Sequence, residues 1–351
     1  MELLTRTIAR IQPLDEAAMA AAGEWQTRLT KPPGSLGVLE QLAVHAAGIA
    51  GSAKPFLKDA VILTMAGDHG VVEEGVSAFP QEVTVQMLAN FMNGGAAINV
   101  LARHVGARVS VVDLGVKADH GLTGVIPARV RPGTDNIAQG PAMTRDEAVA
   151  AVEAGIRAVQ FEIARGADII GTGDMGIGNT TPSAAILAAL SSLPPETCAG
   201  RGTGINHDGL RRKVEAIRRA LAVNQPDPRD ALDVLSKVGG LEIGGLAGVI
   251  LGAAAERKIC VIDGYISGAA ALIAARLAPL SVRYMIASHE SAEAGHRYLL
   301  ELLGLTPVLK LNLRLGEGTG AALAIGMLRA AMKIVHEMAT FDSAGISGAI
   351  D

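Results

Sequence analysis

One recurring pattern limits what this chain can fold into. A short β-branched or apolar run ends in small or polar residues, and a stretch of helical periodicity follows. The runs fall at 60–66, 109–114, 168–171, 259–263, 284–287 and 309–315, and the helical stretches include 85–104, 145–165, 182–192, 209–223 and 318–336. Most of the runs are apolar along their length, as strands buried on both faces are. Such alternation predicts an α/β fold, an open parallel β-sheet flanked by helices and Rossmann-like in outline. Thr144-Arg-Asp-Glu147 reads as a capping box, and Thr181-Pro182 as an N-cap with proline at the first helical position.

The two ends of the chain differ from its middle. Residues 1–50 read as helical, broken at Lys31-Pro-Pro-Gly34, and the last helical stretch follows the final strand. A small helical subdomain built from 1–50 and about 325–351 is therefore expected beside a large α/β domain over 51–324. Hydrophobic residues make up 49% of the 351 and aromatic ones only 3%, so a sizeable core must fill by close approach of backbones. The net charge of −4, with no block of like charge, argues against nucleic acid or an anionic membrane as partner. Cys198 and Cys260 are too isolated for a disulfide framework or a zinc site. The amino terminus lacks a secretory pattern, and no apolar stretch reaches the roughly 18 residues of a membrane span. A soluble, cytoplasmic protein is expected.

Ligands of open α/β sheets bind outside the carboxyl ends of the strands. The loops expected there are 67–71, 171–181, 263–266, 288–291 and 315–320. In 171–181, glycines permit close backbone approach, and a helix starting at Pro182 would direct free N–H groups at a phosphate. Asp174, Asn179, Thr180 and Thr181 add polar side chains, although a plain strand-to-helix turn would use the same glycines. Gly171, Gly173 and Gly176 fit GxGxxG, but the helix starts too late for that fingerprint. Glu317 sits between two glycines at a strand end and a helix start. Partial desolvation there would raise its pKa toward that of a useful general base, while a helix N-terminus would favour the anion; a plain helix-capping role is the alternative. Lys213, on a helix with Arg211 and Arg212, suits either a phosphate or a solvated face. His69, His289 and His296 lack metal-ligand spacing, and no metal is expected.

Seven segments together carry a family resemblance: KPPGSLGVLEQLA (31–43), AGDHGV (66–71), GTGDMGIGNTTPSAA (171–185), NQPDPRDALDVLSKVGG (224–240), IDGYISGAAAL (262–272), SHESAEAGH (288–296) and LRLGEGTGAALA (313–324). In this order they resemble the nicotinate-nucleotide:dimethylbenzimidazole phosphoribosyltransferases. The resemblance implies transfer of 5-phosphoribose from nicotinate mononucleotide to 5,6-dimethylbenzimidazole in cobalamin nucleotide-loop assembly, with no cofactor, by a homodimer. It implies that Glu317 is the catalytic base. Asp174, Met175, Gly176, Asn179 and Thr180 match the motif near the ribose-phosphate, and Gly202 and Lys213 match positions near the phosphate. Leu315 matches a wall of the base site, Phe79, Gln86 and Met87 the strip along the benzimidazole ring, and Ser288 and Gly316 further substrate-binding positions. Asp174 departs from members with glutamate there and is one methylene shorter. Two other readings stay open. One is a Rossmann-type nicotinamide-dependent oxidoreductase, although GDHGV follows the first strand where GxGxxG is wanted. The other is a non-catalytic nucleotide- or base-binding protein, in which Glu317 would have no role.

Overall fold

The computed structural model describes residues 1–347. Six strands, β1 (Ala60–Gly67), β2 (Arg108–Gly115), β3 (Ile126–Pro127), β4 (Ile169–Met175), β5 (Ile259–Ile262) and β6 (Met285–Ala287), form one sheet in the order β3-β2-β1-β4-β5-β6. Every neighbouring pair is parallel, the order of a doubly wound Rossmann sheet. Every residue of β1 is buried, which is why its sequence reads as an unbroken apolar run. Helices approach one another backbone to backbone, as the scarcity of aromatics predicts. A Cβ on Gly155 would lie 1.8 Å from the Gly245 carbonyl oxygen, so helices Arg145–Ala164 and Leu241–Ala255 touch where neither carries a side chain.

The direction of winding reverses between β1 and β4, and the crevice outside their carboxyl ends is where such sheets take ligands. The register sets Thr64 beside Gly173 and Ala66 beside Met175, which brings Gly67-Asp68-His69 and Met175-Gly176 together.

Several local expectations need correction. The stretch 85–104 is two helices, Val83–Met92 and Ala97–Val105, parted where Gly94 takes φ 73°. Residues 309–315 form no strand. Their alternation of leucine with polar residues imitates a half-buried strand, but only Leu309 bridges to His289, and Asn312 at φ 56° ends any ladder. β4 runs on to Met175, so nearly half of the expected 171–181 loop is strand. The helix after it spans Thr180–Ser191 with Asn179 at its N-cap, so Thr181 is not the cap and Pro182 is not the first helical residue. The capping box at Thr144 does form, with Glu147 N donating to Thr144 Oγ1 at 3.2 Å and Thr144 N to Glu147 Oε2 at 2.8 Å.

Helices Glu2–Ala9, Glu16–Arg28 and Val38–Ala50 precede the sheet, and helix Thr319–Glu337 follows it. Trp25 Nε1 donates to the Val335 carbonyl at 3.0 Å, and Leu29 bridges to Thr340. The front of the same late helix lies on the sheet, with Ala321 and Ile325 against Gly171 of β4. Residues 348–351 of the expected terminal subdomain lie outside the described residues. No described helix is long and apolar enough to cross a membrane.

Candidate active site

The crevice at β1 and β4 is roofed by Gly316-Glu317-Gly318, three successive left-handed residues at φ 88°, 63° and 97°. Glycine adopts this conformation freely; glutamate does so at a cost of roughly 1–3 kcal/mol, which its surroundings must offset. The turn is fixed on both sides. Glu317 N donates to the Asp174 carbonyl at 3.2 Å, and Thr64 Oγ1 donates to the Glu317 carbonyl at 3.2 Å. The first turn of helix Thr319–Glu337 is held by Asp263, whose Oδ2 accepts from Gly318 N at 3.2 Å and Oδ1 from Ala321 N at 3.0 Å. Asp263 therefore caps that helix, and Glu317 does not.

The Glu317 side chain turns to another helix. Its Oε2 accepts from Ile98 N at 3.2 Å, the second residue of Ala97–Val105, and only 6% of the residue is exposed. Burial pushes its carboxyl up from the ordinary range, and the Ile98 amide partly opposes that. Burial outweighs the amide, and the helix start that opposes it is not the one following Glu317 in sequence but that of Ala97–Val105.

Further carboxylates line the crevice. Asp174 Oδ2 accepts from Asn179 Nδ2 at 2.9 Å, while its buried Oδ1 has no partner. Burial, reinforced by the neighbouring Asp263, holds the Asp174 carboxyl well above the usual range. Burial also raises Asp263 to about 7, against several backbone amides. Beneath them His69 Nε2 pairs with Glu242 Oε1 at 2.7 Å in full burial. Burial disfavours a charge on His69, but Glu242 outweighs it and the imidazole pKa is raised.

A cavity of about 220 Å³ opens beside this cluster. Phe79, Asp174, Asn179, Thr180, Gly202, Leu315 and Gly316, all singled out from the sequence, line it. Lys213 reaches it from behind. Its buried Nζ donates to Thr180 Oγ1 at 2.8 Å and the Gly200 carbonyl at 3.2 Å, and burial lowers its pKa to about 8. Gly202, at φ 51°, turns its N–H inward, and the helix Thr180–Ser191 begins at the same wall. A buried ammonium, an inward amide and a helix start together suit an anion.

The remaining candidates lie around this centre. Ser288 is buried behind the wall, where its Oγ donates to the Asp263 carbonyl at 3.0 Å and lies 2.9 Å from His289 Nδ1. Met175 ends β4, and Gly176 packs so tightly that a Cβ there would lie 2.2 Å from the Gly67 carbonyl oxygen. Thr84 accepts from Ile177 N at 3.1 Å, so Met87, one turn further on, shares the helix face toward this turn. Gln86 is exposed and does not line the cavity. Phe79 and Leu315 are exposed at the cavity mouth. Asp263, Glu293 and Arg314 also shape the site, although the sequence reading gave them no role. Asp263 carried a usable signal, an acid directly after an apolar strand and before glycine. Glu293 carried none that would separate it from the nearby Glu290.

A family model described as phosphoribosyltransferase matches residues 11–346. Nicotinate-nucleotide–dimethylbenzimidazole phosphoribosyltransferases are similar along almost the whole chain. That of Desulforudis audaxviator is 60% identical over 99% of both chains, and that of Desulforamulus reducens 56% identical over 99% of both. Among solved structures, CobT from Thermus thermophilus superposes with a TM-score of 0.91 at 49% identity, covering 95% of this chain and 100% of that one. The chain belongs to the nicotinate-nucleotide–dimethylbenzimidazole phosphoribosyltransferase family.

Proposed function

We propose that this protein transfers the 5-phosphoribosyl group of nicotinate mononucleotide to 5,6-dimethylbenzimidazole, releasing nicotinate and forming α-ribazole 5′-phosphate for cobalamin assembly. One observation carries the chemistry: Glu317 is a buried carboxylate of raised pKa, held by a single backbone amide at a strained turn over the crevice. In the donor, the pyridine nitrogen is quaternary, so nicotinate leaves with the bonding pair as a neutral ring nitrogen. The scheme needs no general acid, metal or redox cofactor. The acceptor attacks C1′ through its unprotonated nitrogen from the face opposite the leaving group, which converts a β-glycoside into an α-glycoside. Glu317 takes the proton from the other ring nitrogen, so that no benzimidazolium accumulates. Such a base contributes on the order of 10²–10⁴-fold, and alignment of the two substrates contributes more.

Lys213, the Gly202 amide and the start of helix Thr180–Ser191 hold the phosphate in this reading. Phe79, Met87 and Leu315 border the acceptor ring. The Asp174 carboxyl, one methylene shorter than a glutamate, faces the ribose through its unpartnered Oδ1. We also propose a cytoplasmic homodimer in which the helices of both chain ends form a small unit; sedimentation equilibrium tests the dimer.

The test of the reaction uses purified protein, nicotinate mononucleotide and 5,6-dimethylbenzimidazole without added metal, followed by chromatography, with Glu317→Ala alongside. Stoichiometric nicotinate and α-ribazole phosphate, largely lost in the variant, support both the transferase and its base. An undiminished rate in the variant discards Glu317 as base. Absence of product across a panel of benzimidazoles, purines and phenols favours a non-catalytic binding protein.

A further inference from the structure

Glu293 sets a carboxyl group inside the pocket proposed to hold the phosphate. It is 6% exposed and lines the same cavity wall as Gly202 and Thr180. Its Oε1 accepts the Gly202 amide at 2.9 Å, and its Oε2 is buried without a partner. Lys213 donates instead to two uncharged oxygens, Thr180 Oγ1 at 2.8 Å and the Gly200 carbonyl at 3.2 Å. The carboxylate fills the space beside Gly200 so fully that a Cβ there would lie 2.0 Å from Oε2. At the next peptide, Arg314 Nη1 donates to the Gly202 carbonyl at 2.9 Å. Left-handed Gly202 is thus held at both of its peptide groups, its N–H by Glu293 and its carbonyl by Arg314.

From this geometry we infer that Glu293 is a positioning residue that keeps the Gly202 amide aimed at an incoming phosphate and, as a like charge, limits how tightly the site retains it. The inference rests on the phosphoribosyl-transfer reading for the identity of the anion. A phosphomonoester near neutral pH carries about −1.5 to −2 charges and seeks the same N–H and the same ammonium. While the site is empty, Glu293 occupies that N–H and prevents the glycine from turning it away. When phosphate enters, the carboxylate cedes the amide and stays close by as a repelling neighbour. Donor and nucleotide product both carry a phosphate, so this repulsion weakens the hold on each and favours release of the product.

The experiment is calorimetric titration of inorganic phosphate into the whole chain, native and Glu293→Gln, with donor and acceptor KM and kcat from the transfer assay. Glutamine keeps an acceptor for Gly202 and removes the charge. Phosphate should then bind on the order of tenfold more tightly. The donor KM should fall in parallel, the acceptor KM should stay put, and kcat should fall if product release limits it. Phosphate affinity equal to or weaker than native overturns the inference. Should the glutamine variant not fold, Glu293→Asp keeps the charge one methylene back from the amide. It is expected to bind phosphate severalfold more weakly than native, and native-like affinity there overturns the inference as well. Turnover is read separately: its absence in the native protein removes the transferase reading, while the titration still decides the role of Glu293.

Discussion

Adding one methyl group at Gly173 moves Glu317 without altering it. A Cβ at that position would lie 2.3 Å from the Glu317 carbonyl oxygen, 2.7 Å from its carbonyl carbon and 2.9 Å from Thr64 Oγ1. Ordinary carbon contacts sit at about 3.5–4.0 Å, so the Gly-Glu-Gly turn must retreat by roughly 1 Å. Little nearby can yield instead. β4 is paired with β1 and β5, and Gly318 already packs so that a Cβ on it would lie 2.4 Å from Ile62. The displacement therefore falls on Glu317, breaking the Thr64 bond to its carbonyl and drawing its carboxyl from the Ile98 amide. A misplacement of about 1 Å at a reacting group costs on the order of 10²-fold. Gly173→Ala should thus lower kcat roughly 10²-fold, leave the donor KM nearly unchanged and cost about 1–3 kcal/mol of stability from overpacking. The assay is the chromatographic transfer reaction at saturating substrates, paired with thermal unfolding. Gly23→Ala serves as the control. It lies in helix Glu16–Arg28, where a Cβ would meet nothing within 4 Å, and should gain about 0.5–1 kcal/mol at unchanged activity. A Gly173→Ala protein with native kcat and native stability would refute the claim that the position of Glu317 governs the rate.

Two further outcomes follow from the site. If Glu317 is the base, as proposed, the pH profile of kcat/KM should rise through its pKa above the ordinary carboxylate range, where it ionises. It should fall above about 8, where buried Lys213 loses the proton with which it would pair with phosphate in the proposed reaction. In Lys213→Arg, whose guanidinium stays charged, the alkaline limb should move upward, and an unmoved limb would count against this role. Replacing Phe79 at the cavity mouth with serine should shift preference from the dimethylated acceptor toward adenine or phenol in a competition assay. An unchanged ratio would remove Phe79 from the determinants of specificity.

How far the sequence revealed the fold depended on whether its signals were local. β1 was legible because each residue from Ala60 to Gly67 is buried, and a fully buried strand leaves an apolar run. The segment 309–315 misled because its alternation suits a strand, whereas Asn312 adopts a left-handed conformation and the leucines at 311 and 315 face solvent. Gly-Glu-Gly was visible as a special turn, but the partner of its carboxylate lies 219 residues away at Ile98, beyond any periodicity. The helix start that flanks Glu317 in sequence is occupied by Asp263, so the nearer electrostatic influence is not the one that acts. Lys213 similarly meets Thr180 from a helix of its own, and only the fold distinguishes it from Arg211 on the same helix.

Helix Thr319–Glu337 begins at the Gly-Glu-Gly turn and ends against the first helices of the chain. Its 19 residues make a rod roughly 28 Å long with Glu317 next to one end and the Trp25 contact at the other. During synthesis the early helices emerge long before this brace, which joins them through a hydrogen bond spanning 310 residues of sequence. The helix that starts beside Glu317 is therefore braced at its other end by the first helices of the chain. Loosening the Trp25 contact would make itself felt as slack at the far end of the rod, next to Glu317.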